Sequence, residues 1–99
     1  MVKGLTMIRS FNDAEAEKIW NGERSRKLPA EIQQRAFRRL QWIDSAVDLA
    51  DLAVPPSNRL HPLTDDREGQ HSVSINLKWR ICFVWRDGGA EHVEIIDYH

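Results

Sequence analysis

After a short N-terminal stretch, the apolar residues of this chain change period once. From Ala16 to Val54 they recur at helical spacings of three and four, and from Leu60 onward they alternate with period two. A single change of that kind restricts the chain to helices followed by strands, and so to an α+β domain with the helices on one face of an antiparallel sheet.

In the helical part, Pro29 suits a first turn, and Ile32, Ala36, Leu40, Ile43 and Val47 form a stripe that Phe37 widens. Arg35, Arg38, Arg39 and Gln41 lie largely outside it. Asp44, Asp48 and Asp51 make the end acidic against the helix dipole, so a bend or a new short turn is expected over 44–52. Val54-Pro55-Pro56-Ser57-Asn58 ends anything helical. Upstream, Met7 to Phe11 reads as a short strand. A first helix then carries Ala16, Ile19 and Trp20, capped by Asn12 or Asp13 with Asn12-x-x-Glu15 at capping-box spacing, and it stops at Asn21-Gly22.

In the period-two part, Pro62 marks an edge strand or a strand end, and Asp65 to Gly69 a polar turn. Val73, Ile75 and Leu77 alternate with polar residues, then Trp79, Ile81, Phe83 and Trp85 with Arg80, Cys82, Val84 and Arg86. Asp87-Gly88-Gly89 is a hairpin turn, and residues 90–98 supply the last strand. If Trp79 and its alternates face the helices, Arg80 points to the open face. His61 joins it if register allows.

Size and charge narrow the function. A chain of 99 residues is one domain, with residues 1–6 a possible extension because Met7 can equally be the start. The net charge of −1 counts against a nucleic-acid binder with a strongly basic overall footprint. Arg24, Arg26, Lys27, Arg35, Arg38 and Arg39 cluster all the same, as a solvated helix face or a phosphate-binding surface. The single cysteine, Cys82, excludes an internal disulfide framework, fits a reducing cytoplasm and reads as a buried small hydrophobe. No apolar run reaches the length of a membrane span, and no signal-peptide core opens the chain. Metal-site spacing is lacking among His, Cys and acid residues, so no metal or other cofactor is expected.

The chemistry-bearing stretch runs from Arg59 to Gly69 and includes His61 and Arg67; Trp79-Arg80 and the closing Asp97-Tyr98-His99 complement it. Imidazole, phenol, guanidinium and carboxylate are what metal-free phosphodiester cleavage needs. Taken singly, each has a plainer reading. His61 suits a turn, Arg80 a sheet-surface ion pair with Glu94 or Asp97, and Tyr98 packing at a strand end. His71 and His92 read as surface or strand residues. Trp79 and Trp85 read as core, and Trp20 and Trp42 as buried rather than as a partner-facing patch.

Met7-Ile8-Arg9-Ser10-Phe11, Leu60-His61-Pro62-Leu63 through Asp66-Arg67-Glu68-Gly69, Trp79-Arg80-Ile81 and Asp97-Tyr98-His99 together resemble the HigB-type toxins of the RelE-like toxin–antitoxin superfamily. The resemblance runs from Met7 to His99. It implies the RelE-like toxin fold and a cytoplasmic, ribosome-dependent messenger-RNA endonuclease that cuts in the ribosomal A site and arrests growth. It also implies a complex with a helix-turn-helix, HigA-like antitoxin, through which the pair binds operator DNA. By position it assigns catalytic roles to His61, Arg80, Tyr98 and His99, and substrate contacts to Arg67, Lys78 and Asp97. Thr64 stands where some members have a basic residue, and Lys78 where others are polar.

The reaction expected is attack by a ribose 2′-hydroxyl on the adjacent phosphorus. Arg80 neutralises the phosphorane, and His61 and His99 share the base and acid roles in an order left open. The competing function is a non-enzymatic toxin on the same scaffold that inhibits a protein such as DNA gyrase. A third is a binding module that only holds antitoxin and DNA.

Overall fold

The computed structural model describes residues 8–97. Two helices, α1 (Ala14–Trp20) and α2 (Ala30–Ser45), precede four strands: β1 (His61–Pro62), β2 (Gln70–Ser74), β3 (Trp79–Arg86) and β4 (Gly89–Asp97). The strands form one antiparallel sheet in sequence order. Both helices lie against one face of it, as the change of period requires.

Residues 8–12 run parallel to β4. The expected strand is reduced to two bridges, Ile8 with Ala90 and Phe11 with Val93; Met7 lies outside the described residues. Asp13 caps α1, accepting the Glu15 amide at 2.9 Å through one oxygen and the Ile95 amide at 3.1 Å through the other. One side chain thus starts the helix and pins it to β4. The expected capping box does not form. Glu15 instead accepts the Ser25 hydroxyl at 2.6 Å, tying α1 to the loop before α2. That bond holds its carboxyl below the usual carboxylate range, against the opposing effect of burial.

Ile32, Ala36, Leu40 and Ile43 of α2 are buried against the sheet. Val47 was expected to extend this stripe, yet the helix stops at Ser45 and leaves it 72% exposed. The acidic end has a local explanation. Asp44 accepts the Ile8 amide, and Asp48 with Asp51 makes a capping box for a 3-10 turn at Leu49–Ala53. Nor is the basic flank of α2 simply solvated. Arg35 and Arg39 donate to the carbonyls of Ile75 and Ser74, which fasten the helix to the β2–β3 connection.

Leu77 was expected inside a half-buried strand and is 94% exposed. Asn76 explains this, because its side-chain oxygen accepts the amides of Lys78 and Trp79 at 2.8 Å each and turns the chain one residue earlier. Trp42, expected to be buried, is 39% exposed and lies under the Arg39 guanidinium. Trp20, Trp79 and Trp85 pack against the core without being fully enclosed.

A bulge in β4 completes the architecture. Cys82 pairs with Glu94 but Val84 with Glu91, so one extra residue enters β4, where His92 adopts φ +56°. Strict alternation from Ala90 would turn Val93 outwards. With the extra residue, Ala90, Val93 and Ile95 all face the core, and Glu94 emerges on the open face.

Candidate active site

Register decides what the open face can do. His61 pairs with Ser72, Ser72 with Cys82, and Cys82 with Glu94, so these four residues form one row across the sheet. The neighbouring row is Ser74, Arg80 and Ile96. Directly opposed residues of an antiparallel sheet share a face, so His61 and Arg80 emerge on the same side.

Arg80 leans diagonally from its own row towards β1. Its Nε donates to Ser72 Oγ at 2.8 Å and its Nη2 to the Arg59 carbonyl at 2.8 Å. Arg59 has the left-handed conformation, at φ 50° and ψ 53°, immediately after a short 3-10 turn at Pro56–Asn58. Two bonds along one edge fix the plane of the guanidinium as well as its position. A depression of about 300 Å³ opens there, lined by Arg59, Leu60, His61 and Arg80. It is shallow and open, as a site for an extended chain would be. A larger hollow of about 590 Å³, on the loop that precedes α2 and its first turn, is lined by Arg24, Ser25, Arg26, Leu28, Ala30 and Gln33. Among the described residues its lining has no imidazole or carboxyl, and so no group that exchanges protons near neutral pH.

The other candidates fall in two places. Lys78 and Asp97 form an ion pair with each other at 3.5 Å where β3 and β4 meet their ends. Asp97 is opposite Trp79, so it has the parity of the core-facing residues rather than that of Arg80. Arg67 donates to Glu94 at 2.8 Å and to Gln70 at 3.2 Å, and the Glu94 bond raises its pKa. The pair belongs to the open face but not to the His61–Arg80 depression. Tyr98 and His99 lie outside the described residues.

Cys82, in the same row as His61, is completely buried, and burial pushes its thiol up to about 11. It has neither the exposure nor the ionisation of a nucleophile. His71 belongs to the core side of β2, where its ring stacks on Phe83. Burial, and secondarily the nearby His61, lowers its pKa. Among the described residues, no three His, Cys, Asp or Glu side chains gather as a metal site, and no helix is long and apolar enough to cross a membrane.

Sequence reasoning missed Ser72 and the Arg59 carbonyl, both of which hold Arg80. Alternation places Ser72 on the open face, but only the β2–β3 register brings it beside Arg80. A carbonyl carries no residue-type signal at all.

Known proteins resemble this chain in sequence and in fold. The family described as the RelE-like toxin HigB of type II toxin–antitoxin systems matches residues 9–99. Toxin HigB-1 of Vibrio cholerae serotype O1 is 34% identical over 85 residues, covering 85% of this chain and 90% of that protein. Endoribonuclease HigB of Proteus vulgaris is 34% identical over 93 residues, covering 94% and 100%. Among solved structures, YafQ from E. coli superposes with a TM-score of 0.56 at 14% identity, covering 91% of this chain and 90% of its own. A point mutant of YafQ superposes at 0.57 and 12% identity. At such identities the structural likeness speaks for the fold, that of the RelE-like toxins.

Proposed function

The chain belongs to the HigB toxins of type II toxin–antitoxin systems, and from that premise we propose that it is a ribosome-dependent endoribonuclease cutting messenger RNA without a metal ion. A 2′-hydroxyl attacks the adjacent phosphorus, the 5′ oxygen of the next nucleotide leaves, and a 2′,3′-cyclic phosphate results. One group must take the 2′ proton, another must protonate the leaving oxygen, and a cation must meet the extra phosphorane charge.

The observation that carries this reading is the meeting of His61 and Arg80 in one depression, with the guanidinium plane fixed from below. Arg80 remains charged at any physiological pH and can hold two phosphate oxygens in a fork. His61 and His99 both carry an imidazole, and between them they supply base and acid. Tyr98 stacks on a base or relays a proton. Arg67, Lys78 and Asp97 border the substrate path, the last two as a pair.

A type II toxin has an antitoxin. We take this one to be a HigA-like helix-turn-helix protein that carries the complex to operator DNA, with the free toxin acting on cytoplasmic ribosomes. Primer extension on translated messages tests the enzymatic part. Codon-phased cuts that disappear in Arg80→Ala and His61→Ala support it. Growth arrest undiminished in both variants would instead favour inhibition of a protein target such as DNA gyrase.

A further inference from the structure

We infer that Ser72 is a positioning residue of the cleavage reaction, aligning the Arg80 guanidinium with the scissile phosphate. This rests on the reading of Arg80 as the phosphate-facing cation and adds to it a residue that does not itself touch RNA.

Ser72 is 0% exposed, in the middle of β2. A hydroxyl so placed must find a partner, and here its oxygen accepts the Arg80 Nε–H at 2.8 Å. The bond forms across rows, because the direct partner of Arg80 in β2 is Ser74. Ser74 Oγ donates instead to the Asn76 carbonyl at 2.7 Å. The two serines therefore do different things. Ser74 closes the turn, while Ser72 draws Arg80 towards β1.

The direction of that lean matters. Ser72 is also the cross-strand partner of His61, so a single buried hydroxyl sets how the guanidinium stands relative to the imidazole. Arginine is a long and rotamer-rich side chain, and a fork aimed at phosphate oxygens is effective only in one orientation. The Arg59 carbonyl supplies the second fixed point on the same edge of the guanidinium. With Ser72 lost, Arg80 retains its charge and its bond to the Arg59 carbonyl but loses the Nε contact that sets its plane. A purely structural role would appear in stability, whereas a positioning role appears in the rate at saturating substrate.

The test compares wild type with Ser72→Ala, Ser72→Cys and Arg80→Ala in a translated-message cleavage assay, alongside melting temperature and NMR of the Arg80 Nε–H. Sulfur fills the space of the hydroxyl but accepts poorly, so a loss shared by both Ser72 variants cannot come from a cavity. The maximal cleavage rate is expected to fall at least about tenfold in both, as for a hydrogen bond to a charged group. Half-saturation should stay unchanged, both variants should remain folded with cooperative melting, and Nε–H exchange with solvent should accelerate. Full cleavage in Ser72→Ala or Ser72→Cys while Arg80→Ala is inactive would overturn the inference and leave the role of Arg80 standing. So would unaltered Nε–H exchange, or a gain in rate. Full activity in Arg80→Ala would remove both together.

Discussion

His61 stands directly opposite Ser72 in the β1–β2 ladder, and Ser72 holds Arg80 at 2.8 Å. An imidazole from an edge strand of two residues and a guanidinium from a central strand are thereby brought to one depression through a shared rung. The strand bearing His61 is short because Pro62 has no amide to donate and the chain turns away by Thr64. The site thus occupies the edge of the sheet, where an extended chain can approach.

Arg80→Ala is expected to reduce cleavage of translated message by roughly 100-fold or more, the usual cost of removing one preorganised donor to a developing oxyanion. His61→Ala should reduce it as well while leaving the fold intact, since the residue is exposed and contributes little packing. Cleavage rates at saturating toxin, with circular dichroism as the control, check both.

Arg67 is held by a carboxylate, Glu94, at 2.8 Å. Its pair with Glu94 is partly exposed, so solvent screening limits it to about 1 kcal/mol or less. Arg67→Ala should therefore lower stability by no more than that, and should impair cleavage less than Arg80→Ala. Denaturant melts and the same cleavage assay measure the two effects. Cys82, buried in the row that includes Glu94 and with its thiol near 11, should stay unmodified by thiol reagents at pH 8 in the folded protein.

Leu77 and Leu40 provide a contrast in stability. Leu77→Ser should change it by less than about 0.5 kcal/mol, because a side chain 94% exposed loses no burial. Leu40→Ala, at a fully buried position of α2, should cost about 2–5 kcal/mol. Equal losses in chemical denaturation would mean that the β2–β3 turn packs differently from the arrangement around Asn76.

His71 gives stability a pH dependence of known sign. Its folded pKa is lowered, chiefly by burial, and its Nδ1 has no hydrogen-bond partner among the described residues. Protonation then favours the unfolded chain. The contribution is complete above the unfolded value of about 6.5 and is lost as pH falls through the folded one. Stability of wild type should decline from pH 7 to 5 more steeply than that of His71→Leu, as followed by urea titration.

Much of this arrangement could be read from residue order. The α2 stripe, the Asp87-Gly88 hairpin and the alternation of β3 are local patterns, and they put Arg80 on the open face before any register is known. Three features depended on information that no local pattern carries. Leu77 continued the alternation of β2 but was displaced by Asn76, whose side chain competes for backbone amides. The β4 bulge at His92 changes the parity of everything after it, and so decides that Glu94 meets Arg67 and that Asp97 is opposite Trp79. Ser72 looked like any polar residue on a strand face until register placed it between His61 and Arg80.

The nature of the product ends tests the central claim most directly. Fragments from translated message cut by the wild-type protein, in the presence of a chelator, should have 2′,3′-cyclic phosphate and 5′-hydroxyl termini, as attack by the neighbouring 2′-hydroxyl requires. Fragments ending in 3′-hydroxyl and 5′-phosphate would contradict the account, because those ends require an attacking water that neither His61 nor Arg80 has been assigned to activate.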